Sequence, residues 1–172
     1  MTTTPTELTF RQPRASPPLT TQGAPLKHTF AAQTALALTL LSSSAPAFEI
    51  RNRNNDKCLD VYAYLDHNGA RTASWECWGG PNQQWYWNGE EIRSVMNDKC
   101  LDIFGSNTND GAQVTIWECN GGDNQRWYWD GNMLRSRLNG KCLEIYGFSN
   151  NNGALINTWD CSDGLNQQWY LR

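Results

Sequence analysis

Three times in this chain an acidic residue is followed, at the same offsets, by a tryptophan, an asparagine and a glutamine. The sets are Asp60, Trp75, Asn82 and Gln83; Asp102, Trp117, Asn124 and Gln125; and Glu144, Trp159, Asn166 and Gln167. A carboxylate accepts hydroxyl protons, a primary amide donates and accepts, and an indole presents a flat apolar face. Such groups together suit a small ring with hydroxyls on its rim and C–H groups on its faces, which describes a neutral sugar. In this reading the tryptophan is the plate, the acid the acceptor, the asparagine the amide, and the glutamine a brace behind the carboxylate. The third set has Glu144 in place of Asp. The extra methylene moves its carboxylate by about an ångström, beyond the ~0.5 Å tolerance of a preorganised site. That site is expected to be weakened, altered in specificity or inactive.

Each of these residues also has a purely structural reading. Trp75, Trp117 and Trp159 stand two residues before a cysteine, on a strand, where core burial is the competing role. Gln83, Gln125 and Gln167 serve equally well as internal hydrogen-bond partners. The acid and asparagine at fixed offsets favour a pocket, because a buried carboxylate without a partner is costly and one at a pocket mouth is not. Two residues before each pocket tryptophan the type varies (Ala73, Thr115, Asn157), and the first copy has no polar side chain there. Trp78 occurs in the first copy alone, where it either enlarges the plate or covers the adjacent cysteine.

The elements that must position these side chains repeat with them. Cys58-Leu59-Asp60-Val61-Tyr62 returns as Cys100-Leu101-Asp102-Ile103-Phe104 and as Cys142-Leu143-Glu144-Ile145-Tyr146, a period of 42 residues with no gap. A fixed period of this size marks a chain built from one supersecondary unit. Each copy shows four short runs of strand character, in the first copy Phe48–Arg51, Lys57–Tyr62, Arg71–Glu76 and Gln84–Trp87. Turn residues bound them: Asn54-Asn55-Asp56 and Asn97-Asp98; Asn68-Gly69, Asp110-Gly111 and Asn152-Gly153; Gly79-Gly80-Pro81, Gly121-Gly122-Asp123 and Ser162-Asp163-Gly164. Asn88-Gly89 and Asp130-Gly131 mark tight hairpins between copies. Four runs in each of three copies make twelve strands, and no long helical period intervenes. The expected class is all-β, closed or nearly so.

The repeats begin at about Phe48, leaving 125 of the 172 residues for one domain. Copies fall at about 48–89, 90–131 and 132–172. Leu, Ile and Val are sparse, but nine Trp and six Tyr follow residue 60 and supply apolar area, each burying ~150–250 Å². From Phe48 onward eleven basic and sixteen acidic side chains give a net charge of −5. The basic residues are interspersed among the acidic ones. Without a basic patch, nucleic acid and anionic membranes are not the expected partners. All six Cys lie in the repeats, one pair per copy, 19 residues apart. Six thiols allow 15 pairings, and the repeat selects Cys58–Cys77, Cys100–Cys119 and Cys142–Cys161. Zinc ligation normally uses a C-x₂₋₄-C spacing, which is absent. Disulfides imply an oxidising compartment, secreted, extracellular or periplasmic.

Residues 1–25 are rich in Thr and Pro, without apolar periodicity, and read as disordered. Lys27-His28, an apolar run at about 30–41 and Ser42-Ser43-Ser44-Ala45-Pro46-Ala47 form the parts of a cleavable signal peptide, with the cut after Ala47. The run is too short to anchor stably in a bilayer. An alternative start codon at Leu26 would place this leader first in the chain; an organellar targeting segment is the competing reading.

The Gln-x-Trp motifs (Gln83/Trp85, Gln125/Trp127, Gln167/Trp169), Cys-Leu-Asp/Glu on each second strand and Trp-x-Cys on each third resemble the ricin-B-type β-trefoil lectins, also described as family 13 carbohydrate-binding modules. The resemblance spans about residues 48–172. It implies a three-lobed trefoil, one disulfide per lobe and up to one sugar pocket per lobe, with the recurring Asp, Trp, Asn and Gln positions holding the sugar. It makes Trp85, Trp127 and Trp169 core residues; Trp87 and Trp129 alternate with tyrosines and are expected in the core too. Family habit points to galactose or N-acetylgalactosamine, with xylan as the other target.

Two other classes compete with a secreted, multivalent, sugar-binding lectin that needs no cofactor or metal. An enzyme is disfavoured: after the cut His67 is the one remaining histidine, G-x-S-x-G is absent, and a glycosidase needs two carboxylates ~5–10 Å apart, whereas Asp60, Asp102 and Glu144 belong to separate lobes. The alternative is a trefoil interaction module, such as a toxin cell-attachment subunit or an inhibitor, that has lost its sugar sites.

Overall fold

Short runs of alternating apolar and polar residues, cut by Asn, Asp and Gly, form strands of three to six residues. The computed structural model describes residues 46–172; the expected disordered stretch and the apolar core of the leader lie outside them. The first copy contributes β1 (Ile50–Asn52), β2 (Cys58–Val61), β3 (Ala70–Trp75) and β4 (Trp85–Asn88). The second contributes β5 (Glu91–Ser94), β6 (Cys100–Ile103), β7 (Ala112–Trp117) and β8 (Trp127–Asp130), and the third β9 (Met133–Ser136), β10 (Cys142–Ile145), β11 (Ala154–Trp159) and β12 (Trp169–Leu171). These are the twelve strands the repeat predicts, with ends shifted by one or two residues. Phe48 joins through a single bridge to Trp85 rather than as part of β1.

The antiparallel pairs β1–β12, β4–β5 and β8–β9 make a ring of six strands, which the bridges Phe48–Trp85, Glu91–Arg126 and Met133–Gln168 join up. The pairs β2–β3, β6–β7 and β10–β11 form three further hairpins, and their second strands β3, β7 and β11 pair with one another in a closed triangle. This is a β-trefoil with one lobe per repeat. Between lobes, Asn88 pairs with Glu91 and Asp130 with Met133, so the turns are Gly89-Glu90 and Gly131-Asn132. Positive φ falls on the first residue of each, Gly89 (+63°) and Gly131 (+60°), as a type II′ turn requires.

Trp85, Trp127 and Trp169 sit at the centre, at most 1% exposed, and their indole N–H groups donate to the carbonyls of Leu59, Leu101 and Leu143 at 3.0, 2.9 and 2.8 Å. The core position and the satisfied indole together explain why tryptophan recurs there. Trp87 and Trp129 are half-buried, packed on the edge of this core rather than inside it. Cys58–Cys77, Cys100–Cys119 and Cys142–Cys161 are bonded, each with a Cα–Cα distance of 5.2 Å. The repeat-based pairing is the one found.

Candidate functional site

In each lobe the same register brings the acid and the tryptophan to one hairpin. Cys58 faces Trp75 and Asp60 faces Ala73 across β2 and β3; Cys100 faces Trp117 and Asp102 faces Thr115; Cys142 faces Trp159 and Glu144 faces Asn157. A 3₁₀ turn just before the core tryptophan (Pro81–Gln83, Asp123–Gln125, Leu165–Gln167) carries the two amides over to the acid. The four expected side chains therefore converge in every lobe.

Their roles divide sharply. Gln83 Nε2 donates to Asp60 Oδ2 (2.9 Å) and to the Glu76 carbonyl (2.9 Å), while its Oε1 accepts from the Trp78 N–H (2.9 Å). Gln125 and Gln167 make the same three contacts to Asp102, Glu118 and Asn120, and to Glu144, Asp160 and Ser162. With both donor hydrogens used, these glutamines brace the carboxylate from behind, and Gln83 and Gln125 are fully buried. Asn82 Nδ2 also reaches Asp60 Oδ2 (2.9 Å) and uses its other hydrogen on the Val61 carbonyl (3.3 Å). Asn166 does the same with Glu144 and Ile145. Asn124 bonds only Asp102 Oδ2 (2.7 Å) and keeps a donor to spare. Two amides thus pin one oxygen of each acid and leave the other free to accept.

The acids, at most 6% exposed, line three clefts. Asp60, Trp75 and Asn82 line one of about 250 Å³, Asp102, Trp117 and Asn124 one of about 300 Å³, and Glu144, Trp159 and Asn166 one of about 440 Å³. None of the three tryptophans is buried; Trp159 is 38% exposed. Glu144 keeps its Gln167 contact at 2.9 Å while the Asn166 contact lengthens to 3.3 Å, so the longer side chain loosens one of the two amide contacts and keeps the other.

Sequence reasoning passed over a second aromatic wall. Tyr62, Phe104 and Tyr146 line the same clefts, and the first two meet Trp75 and Trp117 with ring centroids 6.0 and 6.1 Å apart. The signal was an aromatic residue two places after every site acid. Trp78 lines the first cleft with Tyr64 and is 56% exposed, so it widens the wall.

Burial shifts the acids. The Asp60 and Asp102 carboxyls are pushed up to about 6 by loss of solvent, against the pull of the Gln83, Asn82 and Gln125 amides. Glu144 moves in the same direction for the same reason.

The Ricin-type beta-trefoil lectin domain model matches residues 46–169. The chain belongs to this family. Among solved structures, a designed three-fold symmetric protein, ThreeFoil, is 32% identical, with TM-score 0.69 over 73% of this chain and 96% of that one. The earthworm R-type lectin C-half, solved in complex with GalNAc, is 25% identical, with TM-score 0.64 over 73% of this chain and 96% of that one. An exo-β-1,3-galactanase from Clostridium thermocellum is 29% identical, with TM-score 0.69 over 75% of this chain but only 30% of its own. None of the curated proteins compared matches the chain. Among the described residues no helix is long and apolar enough to cross a membrane.

In this R-type trefoil each cleft is propped by the lobe before it. Gly69 of the first lobe holds φ at +83°, and a Cβ there would lie 3.4 Å from Phe104 and 3.5 Å from Trp117 of the second. Gly111 stands likewise under Trp159, and Gly153 under Trp75, closing the circle. The residue before each glycine is tied to the same neighbour: Asn68 accepts from Lys99 Nζ (2.8 Å) and the Glu118 N–H (3.0 Å). Asp110 accepts from Lys141 and the Asp160 N–H, and Asn152 from Lys57 and the Glu76 N–H. A φ this positive is open to glycine and unfavourable for side chains with a Cβ. The Asx-Gly turn therefore serves both the local bend and the neighbouring plate.

Proposed function

We propose that the domain is a secreted lectin that binds galactose-type residues, galactose or N-acetylgalactosamine, at up to three lobes and without catalysis. The observation that carries this reading is the acid of each lobe, held at one oxygen by two amides, with its other oxygen unbonded, in the lining of an aromatic-walled cleft. Such a group accepts a hydroxyl proton, and the adjacent indole covers a C–H face. Asp60, Trp75, Asp102, Trp117, Glu144 and Trp159 are the proposed contacts, with Asn124 donating and the remaining amides holding the acids in place. The R-type relative solved with GalNAc and the galactanase that carries a similar domain support the sugar class. The three disulfides and the leader-like sequence support secretion. Individually weak sites on one rigid body gain ~10²–10⁴ in avidity on a multivalent glycan, which suits a three-lobed plan. A glycan array is the test: galactose-terminated or N-acetylgalactosamine-terminated glycans are expected to be retained, and an array without a retained glycan contradicts the reading.

Titration of the acids gives two opposite pH dependences. Ionised acids accept hydroxyl protons, so galactose affinity rises with pH through about 6, the value for Asp60 and Asp102, and levels off above 7. Stability moves the other way. A folded-state value above the ordinary one means that the folded form binds protons more tightly. The contribution is complete below the ordinary carboxylate range and is lost as pH rises through about 6. Asp98 and Asp110, held low by Tyr86 and Lys141 respectively, act below this window. Urea midpoints at pH 4.5 and 7.5 are expected to fall while galactose binding by calorimetry increases; parallel changes would contradict the assignment.

A further inference from the structure

The three clefts are not equivalent, and the difference lies at their mouths. Position 64 and position 78 are Tyr and Trp in the first lobe; the matching residues are Ser106 and Asn120 in the second, Phe148 and Ser162 in the third. In the first lobe alone both are aromatic. Their ring centroids stand 5.8 Å apart at an interplanar angle of 54°, and the two residues are 46% and 56% exposed. They line the same cleft as Asp60, Tyr62 and Trp75.

Both are held in place. The Trp78 N–H donates to Gln83 Oε1 at 2.9 Å, and its neighbour Cys77 is tied to Cys58. Its indole lies over Gly80, where a Cβ would come within 2.1 Å of the ring. Ala63 and Tyr64 both hold positive φ, +54° and +58°, where the other lobes use Gly105 and Gly147 at the first of these positions. The second position is left-handed in every lobe, at Ser106 (+51°) and Phe148 (+55°) as at Tyr64, so what sets the first lobe apart is Ala63, a residue with a Cβ strained in that region where the others have glycine.

We propose that Tyr64 and Trp78 form a second saccharide subsite, so that the first lobe takes two linked pyranoses where the second takes one. This rests on the lectin reading above. The subsite has aromatic faces and no carboxylate of its own. That chemistry fits a ring already placed by its glycosidic bond to the one held at Asp60 and Trp75, which needs a surface for its C–H groups and no charged anchor. An exposed aromatic pair continuous with a polar anchor is otherwise an apolar patch facing water.

The experiment uses the full chain with Asp102→Ala and Glu144→Ala, which leaves the first lobe as the working site, and calorimetry with methyl β-galactoside, lactose and β-1,3-galactobiose. At least one disaccharide is expected to bind roughly five- to tenfold tighter than the monosaccharide, the scale of one added aromatic contact. Adding Trp78→Ala should abolish that advantage, costing the disaccharide at least fivefold more affinity than it costs the monosaccharide. In the companion variant with Asp60→Ala and Glu144→Ala, where the second lobe works alone, the same ligands should bind alike. Equal binding of mono- and disaccharides in the first lobe, an equal loss for both on Trp78→Ala, or the same preference in the second lobe would each overturn the subsite while leaving the lectin reading standing. Failure of the unsubstituted chain to bind any of the three sugars would overturn both.

Discussion

Replacing Asp60, Asp102 and Glu144 together with alanine is expected to lower galactose binding more than ~100-fold without unfolding the domain. Hydrogen bonds to a charged group contribute about 1.5–3 kcal/mol each, and the site acid is the one carboxylate lining the first and second clefts, Asp160 joining Glu144 in the third. The fold should survive because five of the six bracing amides have other partners, and the sixth, Asn124, whose one bond is to Asp102, is half-exposed and can turn to water. Gln83 keeps the Glu76 carbonyl and Asn82 the Val61 carbonyl, and Gln167 and Asn166 keep those of Asp160 and Ile145. Burial, moreover, makes the ionised form of these acids costly rather than stabilising. Retention on a galactose-bearing surface, with far-UV and near-UV circular dichroism alongside, checks both halves. A variant that stays folded and still binds would move the sugar contacts elsewhere; an interaction module without sugar sites would be indifferent to the change.

Reduction is expected to have the larger effect on stability. Each disulfide closes a loop with a sequence separation of 19, worth about 3 kcal/mol in the chain-entropy model. Three separate loops total about 9 kcal/mol, against the roughly 5–15 kcal/mol by which domains are ordinarily stable. The melting temperature should fall by on the order of 30 °C with reductant, or the domain should lose its near-UV signal outright. The bridges also hold the clefts, since Cys58, Cys100 and Cys142 face Trp75, Trp117 and Trp159 across the hairpins. Thermal melts with and without reductant decide the matter, and an unchanged midpoint would mean the aromatic core alone sustains the fold.

The parts of this molecule that repeat were legible in the chain. A gap-free register places the β2–β3 type hairpins, the disulfides and the core tryptophans, because each is fixed by contacts within its own copy. Beyond the hairpins at Gly89 and Gly131, what crosses between copies was hidden. The Asn68-Gly69 turn reads as a local bend, and nothing in its own repeat indicates that it lies beneath Trp117 of the next. Nor does residue type separate the two amides. Asn82 and Gln83 are adjacent in sequence, yet their donors are spent on different carbonyls, Val61 and Glu76, which follows from the 3₁₀ turn rather than from chemistry. Tyr62 was visible but looked like the end of a strand; its place on the cleft wall comes from the turn that follows β2.

The nine tryptophan indoles offer the most direct test of the whole account. Titrating the protein with galactose while recording indole N–H resonances should shift Trp75, Trp117 and Trp159, and a disaccharide should shift Trp78 further. Trp85, Trp127 and Trp169, locked to Leu59, Leu101 and Leu143, should stay still. Movement confined to the cleft tryptophans is the predicted result; no movement at Trp75 or Trp117 up to saturating sugar would contradict it.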